Sequence, residues 1–106
     1  MLAEKKNPIS IEEIKHNLKD YFTNKPVKKA YLFGSYARSE ADEKSDMDIL
    51  VELDFSKPIG LFFFTMEYEL KNRFNKKIDL ITTEEVSPYI KPYIEKDKIL
   101  VYERKE

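Results

Sequence analysis

The sequence predicts a mixed α/β protein, and two observations lead to that fold class. Apolar residues recur at helical spacing in some segments and at strand spacing in others. In chain order the pattern is a helix, a strand, a turn, a strand, a helix, a strand, an irregular helical stretch and a short final strand. Such an order predicts a mixed β-sheet with flanking helices, and we expect residues 1–106 to form one domain of this kind.

The first helix has the best-marked start in the chain. Ser10, followed three residues later by Glu13, predicts a capping box at the start of a helix over residues 10–22. Its apolar residues fall on one face (Ile11, Ile14, Leu18 and Phe22). Pro26 ends the segment because proline cannot continue a helix.

The other elements follow from shorter patterns. Strands are predicted at residues 27–33, 46–53, 77–82 and 99–102. A short helix is expected over residues 36–41 and a longer one over 59–74, in which Phe62–Phe64 would be core. The stretch that contains Pro88 and Pro92 is predicted to be a loop or a broken helix.

Composition excludes several function classes. The chain of 106 residues has no cysteine, so disulfides, thiolate catalysis and Cys-ligated zinc are excluded. A formal net charge of -1 provides no overall field to attract nucleic acid or a membrane, and we expect neither as a direct partner. The N-terminus resembles no signal peptide and the apolar run Ile59–Met66 is too short to span a bilayer, so a cytoplasmic location is expected.

One motif has the residues that metal-dependent phosphate chemistry needs. Gly34-Ser35 follows the first strand, and Asp46-x-Asp48 opens the next one after ten intervening residues. A glycine turn lets backbone approach a phosphate, and Ser35 adds a donor. Aspartates two apart in a strand project to one face, where carboxylate oxygens suit Mg²⁺. Asp79, in the apolar strand over residues 77–82, is the candidate third carboxylate of a two-metal site.

Each feature also has a purely structural explanation. Gly-Ser is a common turn, Asp-x-Asp at the start of a strand is often only solvated, and Asp79 could lie on an exposed edge. The basic residues between Lys71 and Lys77 could attract RNA or a triphosphate, or could be a solvated helix end. The metal-site interpretation is favoured because the Gly-Ser turn, the Asp-x-Asp pair and Asp79 occur together at this spacing.

The stretch GSYARSEADEKSDMDILVEL, residues 34–53, resembles the minimal nucleotidyltransferase (MNT) family of the DNA polymerase β-like superfamily. The resemblance runs from about Val27 to Thr82 and implies the polymerase β-like fold. It implies that Gly34, Ser35 and Arg38 bind the triphosphate of ATP, the substrate. It also implies that three aspartates are catalytic and bind two Mg²⁺ ions, namely Asp46, Asp48 and Asp79. Of these, Asp79 would also act as the general base. Ser39 departs from the family pattern, which has glycine there.

Many proteins that this chain resembles are paired with a HEPN-domain RNase. The resemblance implies an antitoxin that transfers AMP from ATP to a tyrosine hydroxyl of its HEPN toxin. Because about a hundred residues leave no room for a second, acceptor-binding domain, the acceptor is expected on another macromolecule. Two alternatives stay open: an antitoxin that neutralises its partner by binding alone, and nucleotidyl transfer to a small-molecule hydroxyl.

Overall fold

The structure of the protein is a computed structural model that describes residues 9–105. Its α-helices are α1 (Ile11–Phe22), α2 (Phe62–Phe74) and α3 (Lys91–Asp97). Its strands are β1 (Val27–Phe33), β2 (Met47–Leu53), β3 (Ile78–Thr82) and β4 (Ile99–Glu103), and a 3₁₀ turn covers Thr83–Glu85. In this part of the chain, no helix is long and apolar enough to cross a membrane.

The strands form one mixed sheet in the order β3-β2-β1-β4. β1 runs antiparallel to β2 and to β4, whereas β2 and β3 are parallel. The parallel pair is possible because α2 connects the two strands and returns the chain to the same end of the sheet. The mixed sheet with flanking helices confirms the predicted fold class.

The hydrophobic core lies between one face of the sheet and the two longer helices. β2 contributes alternate residues that are all buried (Met47, Ile49, Val51 and Leu53). From α1, Ile14, Leu18 and Phe22 are fully buried, and α2 adds Met66 and Leu70. The predicted capping box at Ser10 is present, with the Glu13 amide donating to Ser10 Oγ at 3.1 Å. The apolar face of α1 and its cap are therefore as the sequence predicts.

The prediction of a short helix over residues 36–41 is wrong. Residues 34–39 form consecutive turns, in which one helical-type hydrogen bond runs from the Arg38 amide to the Gly34 carbonyl at 3.1 Å. Ser39 then takes a left-handed conformation (φ 61°), which ends the helical path because this backbone geometry cannot be continued by L-residues. The chain leaves the turns with the Glu40 amide donating to the Ser35 carbonyl at 2.8 Å.

Two expectations for α2 also need correction. The helix begins at Phe62 instead of Ile59, because Gly60 has a φ of 49° that a right-handed helix does not allow. Phe62 and Phe63 pack partly against the core, but Phe64 is 69% exposed and is not a core residue. The segment near Pro88 and Pro92 resolves into the 3₁₀ turn and α3, in agreement with a broken helix.

Candidate active site

Two of the predicted carboxylates lie side by side at one end of the sheet. In the parallel pairing of β2 with β3, Asp48 is in register with Asp79, so both side chains leave the same face. Phe33, the last residue of β1, is in register with Asp48 on the other side. Gly34 follows Phe33 directly, so the Gly-Ser turn begins beside this carboxylate pair.

Gly34 is in close contact with Asp48. The residue has a φ of 75°, and a Cβ built on it would collide with Asp48 Oδ2 and lie 3.1 Å from Asp48 Cγ. Glycine therefore meets two requirements here, a left-handed backbone and the near approach of a carboxylate. The sequence assigned Gly34 to phosphate binding, and the contact adds that no side chain fits between this turn and β2.

Asp48 is partly buried with little to stabilise its charge. Burial, a hydrogen bond with Asp79, the negative charge of Asp79 and that of Asp46 together raise the pKa of Asp48 to about 7, although Arg38 acts in the opposite direction. At neutral pH the Asp48–Asp79 pair therefore holds a proton for part of the time. Two carboxylates in contact at a strand end are costly unless a proton or a cation separates them.

The side chain of Asp46 forms an ion pair with a lysine. Its Oδ2 lies 3.8 Å from Lys77 Nζ, and both side chains are substantially exposed. Among residues 9–105, no three His, Cys, Asp or Glu side chains are arranged as a ready metal-binding group. The structure thus brings together Asp48 and Asp79, and the remaining predicted aspartate, Asp46, is paired with a lysine.

The donor set is nevertheless suited to a divalent cation. All three side chains offer carboxylate oxygens, which hard cations such as Mg²⁺ prefer. The raised pKa of Asp48 indicates a site where positive charge would be stabilising. Asp46 is two residues before Asp48, and its contact with Lys77 is exposed and weak, so little would oppose its exchange for a cation.

Arg38 is placed near the carboxylates but already has acidic partners. Its Nε donates to Glu40 at 2.8 Å and its Nη1 donates to Asp97, the last residue of α3, at 2.7 Å. The Arg38 side chain is 44% exposed, and its positive charge lowers the pKa of Asp48. A phosphate at Arg38 would compete with two carboxylates, a constraint that the sequence did not reveal.

Lys76 is a second lysine near the site, and the sequence analysis placed it only in the basic cluster between Lys71 and Lys77. Lys76 Nζ donates to the Ser45 carbonyl at 2.9 Å and to the hydroxyl of Tyr36, a residue that is 3% exposed. Arg73, of the same basic cluster, instead contacts Asp20 of α1 at 3.1 Å. Only the position of Lys76 two residues before β3, a strand that contains a carboxylate, could have indicated its place.

The fold and the carboxylate pair place the protein in the class of nucleotidyltransferases. The model of the family "Polymerase beta, Nucleotidyltransferase" matches residues 12–106. A relative from Methanocaldococcus jannaschii, named "Putative protein adenylyltransferase", is 38% identical over 86 residues, which are 81% of this chain and 91% of the relative. The chain therefore belongs to the polymerase beta nucleotidyltransferase family, as its resemblance to minimal nucleotidyltransferases implied.

Solved structures show the same fold at low sequence identity. One is a toxin–antitoxin crystal structure with AMP-PNP, which matches with a TM-score of 0.70 and 16% identity over 86% of this chain and 74% of that one. Another is a tri-AMPylated Shewanella oneidensis HEPN toxin in complex with MNT antitoxin, with a TM-score of 0.66 and 14% identity over 89% and 73% of the two chains. Both confirm the polymerase β-like fold.

Proposed function

We propose that this protein is a Mg²⁺-dependent protein adenylyltransferase that transfers AMP from ATP to a tyrosine hydroxyl of a HEPN-type toxin and so acts as its antitoxin. The observation that carries the proposal is the Asp48–Asp79 pair packed against Gly34 at the ends of three adjacent strands. A carboxylate pair beside a glycine turn joins the two requirements of nucleotidyl transfer, cation binding and phosphate approach.

The related proteins support the choice of substrate and partner. The 38% identical relative is named as a protein adenylyltransferase, which favours transfer to a protein acceptor. A structural neighbour contains AMP-PNP, an ATP analogue, and another is an MNT antitoxin bound to an AMPylated HEPN toxin. ATP and a HEPN toxin are therefore the partners that we assign to this chain.

The reaction assigns a role to each residue of the site. The acceptor oxygen forms a bond to the α-phosphorus of ATP, the bond from that phosphorus to the bridging oxygen breaks, and pyrophosphate leaves. Asp79 accepts the hydroxyl proton, so that AMP-protein and pyrophosphate are formed without any further reactant. In the proposed site, Gly34, Ser35 and Arg38 bind the triphosphate, and Arg38 would exchange Glu40 or Asp97 for phosphate oxygens.

The metal is held by the aspartates in this proposal. When bound at Asp46, Asp48 and Asp79, Mg²⁺ supplies charge neutralisation at the reacting phosphate. For the protein itself, binding requires Asp48 to lose the proton that its raised pKa retains near neutral pH. It also requires Asp46 to leave Lys77, an exposed pair with a small energetic cost.

The test is the mass of the partner toxin. The protein is co-expressed with a HEPN partner encoded beside its gene, and the intact mass of the purified toxin is measured with the wild type and with Asp46→Asn and Asp48→Asn. We expect a toxin heavier by whole AMP units with the wild type only, and fragmentation of the toxin then identifies the modified residue. Lys77→Met is the matched control, because it removes a charge beside Asp46 but no proposed metal ligand.

Two other outcomes would replace the proposal. An unmodified toxin in a tight complex with the wild type would indicate an antitoxin that acts by binding alone. An unmodified toxin, together with transfer of AMP to a small hydroxyl compound, would indicate a small-molecule nucleotidyltransferase. Full neutralisation by Asp48→Asn in cells would also contradict the enzymatic account.

A further inference from the structure

We propose that Lys76 is a positioning residue that ties the start of the Asp46–Asp48 segment to the Gly34–Tyr36 turn. The inference depends on the proposed function, because it explains how the two halves of that site are kept in register. Within residues 9–105, Lys76 donates no hydrogen bond to Asp48 or Asp79, so its effect on the site would be indirect.

The contacts of Lys76 join two segments that are distant in sequence. Nζ donates to the Ser45 carbonyl at 2.9 Å, immediately before Asp46, and to the hydroxyl of Tyr36, two residues after Gly34. The ammonium also lies 4.7 Å from the centre of the Tyr36 ring, within the range of a cation–π interaction. One side chain therefore spans both ends of the motif that the sequence singled out.

The backbone around Lys76 explains how this side chain reaches the site. Asn75 ends α2 in a left-handed conformation (φ 54°), and the Lys76 amide donates back to the Lys71 carbonyl at 3.3 Å. The next residue, Lys77, accepts a hydrogen bond at its carbonyl from the Met47 amide at 3.0 Å. Lys76 is thus fixed by the helix cap on one side and by the sheet on the other.

Tyr36 gives this connection a rigid base. The ring is 3% exposed and belongs to the hydrophobic core, so the hydroxyl that accepts from Lys76 is held in place by packing. Ser45 belongs to a tight loop in which the Asp42 amide donates to Ser45 Oγ at 2.9 Å. Lys76 therefore connects this polar loop to a core residue, and Asp46 is the next residue after the loop.

The test compares Lys76→Met with Lys71→Met in the full chain. Met retains the length and apolar stem of lysine but has no ammonium, and Lys71 is an exposed residue in the last turn of the same helix. Amide hydrogen exchange of residues 42–48 is measured first, and the affinity for Mn²⁺ is then titrated on the isolated protein. With Lys76→Met we expect faster exchange in this segment and Mn²⁺ binding weaker by about tenfold, the effect of losing hydrogen bonds from a charged group.

Two further variants separate positioning from general stability. Lys76→Arg retains donors and should bind Mn²⁺ within about threefold of the wild type. Tyr36→Phe removes only the hydroxyl and carries the test if Lys76→Met does not fold. We expect it to speed exchange at residues 42–48 without exposing the core.

The outcomes distinguish this inference from the proposed function. Exchange rates and Mn²⁺ affinity that are the same in Lys76→Met and Lys71→Met would overturn the positioning role and leave the proposed function intact. A wild type that binds no Mn²⁺ would overturn the proposed function and the role of Lys76 in the site together. In that case, exchange would still show whether Lys76 fastens the loop.

Discussion

The two ends of β2 carry carboxylates in opposite environments. At its start, Asp48 faces Asp79 and its pKa is raised to about 7. Directly after its end, Asp54 is 4% exposed, yet it accepts hydrogen bonds from the Ser56 hydroxyl at 2.6 Å, the Ser56 amide at 3.0 Å and Arg104 at 2.9 Å. These donors hold the pKa of Asp54 far below its usual range.

The difference shows that the surrounding donors, more than burial, determine what a carboxylate can do. Asp54 has its negative charge fully compensated, and it joins β2 to the residue that follows β4. Asp48 has a second carboxylate where Asp54 has donors, so it remains available to a cation. We therefore infer a structural role for Asp54 and, within the proposed function, a binding role for Asp48.

The largest expected effect is the loss of transfer in Asp48→Asn. Replacing a ligand of the proposed metal site removes part of the charge stabilisation of the reacting phosphate, which should lower the rate by about a thousandfold or more. The rate of AMP incorporation into the purified toxin partner measures this effect. Asp54→Asn is the matched substitution at the other end of β2, and it should retain the wild-type rate when folded. Equal losses in both variants would contradict the assigned roles.

Gly34→Ala should have the next largest effect. The added Cβ would displace the Asp48 carboxylate, and a left-handed alanine is strained, so we expect a loss of activity of about a hundredfold. The free energy of unfolding should fall by about 1–3 kcal/mol. Steady-state kinetics and urea denaturation measure the two quantities.

Gly60→Ala is the control for Gly34→Ala. Gly60 also has a positive φ (49°), but a Cβ there meets no atom within 4 Å. It should therefore lose stability through backbone strain and retain activity. If both variants lose activity to the same degree, the contact of Gly34 with Asp48 is not the reason that glycine is needed.

Much of the fold could be predicted from the sequence because its signals are local. The capping box at Ser10 and the alternating apolar residues of β2 each determine their own element. The turn after Gly34 could not be predicted, because Ser39 adopts a left-handed backbone that its residue type does not favour. In that case the tertiary contacts of the turn, and not local propensity, decide the conformation.

The strands that carry the candidate carboxylates could be predicted, but the arrangement of the side chains could not. Spacing placed Asp48 and Asp79 on strands, and their pairing followed from the parallel register. The contact of Asp46 with Lys77 and the two acidic partners of Arg38 depend on side-chain directions that periodicity does not report. The place of Lys76 depends on a helix cap and a distant carbonyl, so no short motif contained it.

At the other end of β2, Asp54→Asn should reduce stability without affecting the chemistry. The variant loses the charge that holds Arg104 at 2.9 Å and weakens the acceptor of the Ser56 donors. We expect a lower Tm in differential scanning calorimetry and no change in Mn²⁺ affinity. Glu52→Gln is a control, because it removes a partly buried carboxylate from β2. A Tm change no larger than that of Glu52→Gln would contradict the structural role of Asp54.

Asp48 and Asp54 should change the free energy of unfolding in opposite directions as the pH rises. Folded Asp48 binds a proton more tightly than unfolded aspartate, so without metal the stability falls as the pH rises from about 4 to about 7. Asp54 has a lowered pKa, so its contribution is present above the ordinary pKa and is lost as the pH falls below it. Differential scanning calorimetry in EDTA between pH 3 and 8 measures both slopes, because this range includes the ordinary aspartate pKa of about 4.

Asp48→Asn and Mg²⁺ should both act on the first slope only. The variant removes the group that takes up the proton, and Mg²⁺ replaces the proton between the carboxylates. In either case the fall in stability between about pH 4 and 7 should become shallower, while the loss at lower pH persists. A slope unchanged in Asp48→Asn would assign the proton to another group.

The smallest effect is expected for Ser39→Gly, which tests backbone strain at the site end of β2. Ser39 has a φ of 61° and lacks the side-chain amide that helps Asn24 and Asn75 to tolerate the same region. Glycine removes a strain of about 1–2 kcal/mol but loses more conformational entropy on folding, so the net gain in stability should be about 0.5 kcal/mol.

Urea denaturation measures this gain, with Ser56→Gly as the control in a turn where serine is hydrogen-bonded to Asp54. The control should lose stability, because its hydroxyl is a donor to a carboxylate and that of Ser39 is in an exposed turn. A loss in both variants would show that the turn after Gly34 is relaxed, and that the approach of Gly34 to Asp48 is maintained without strain at Ser39.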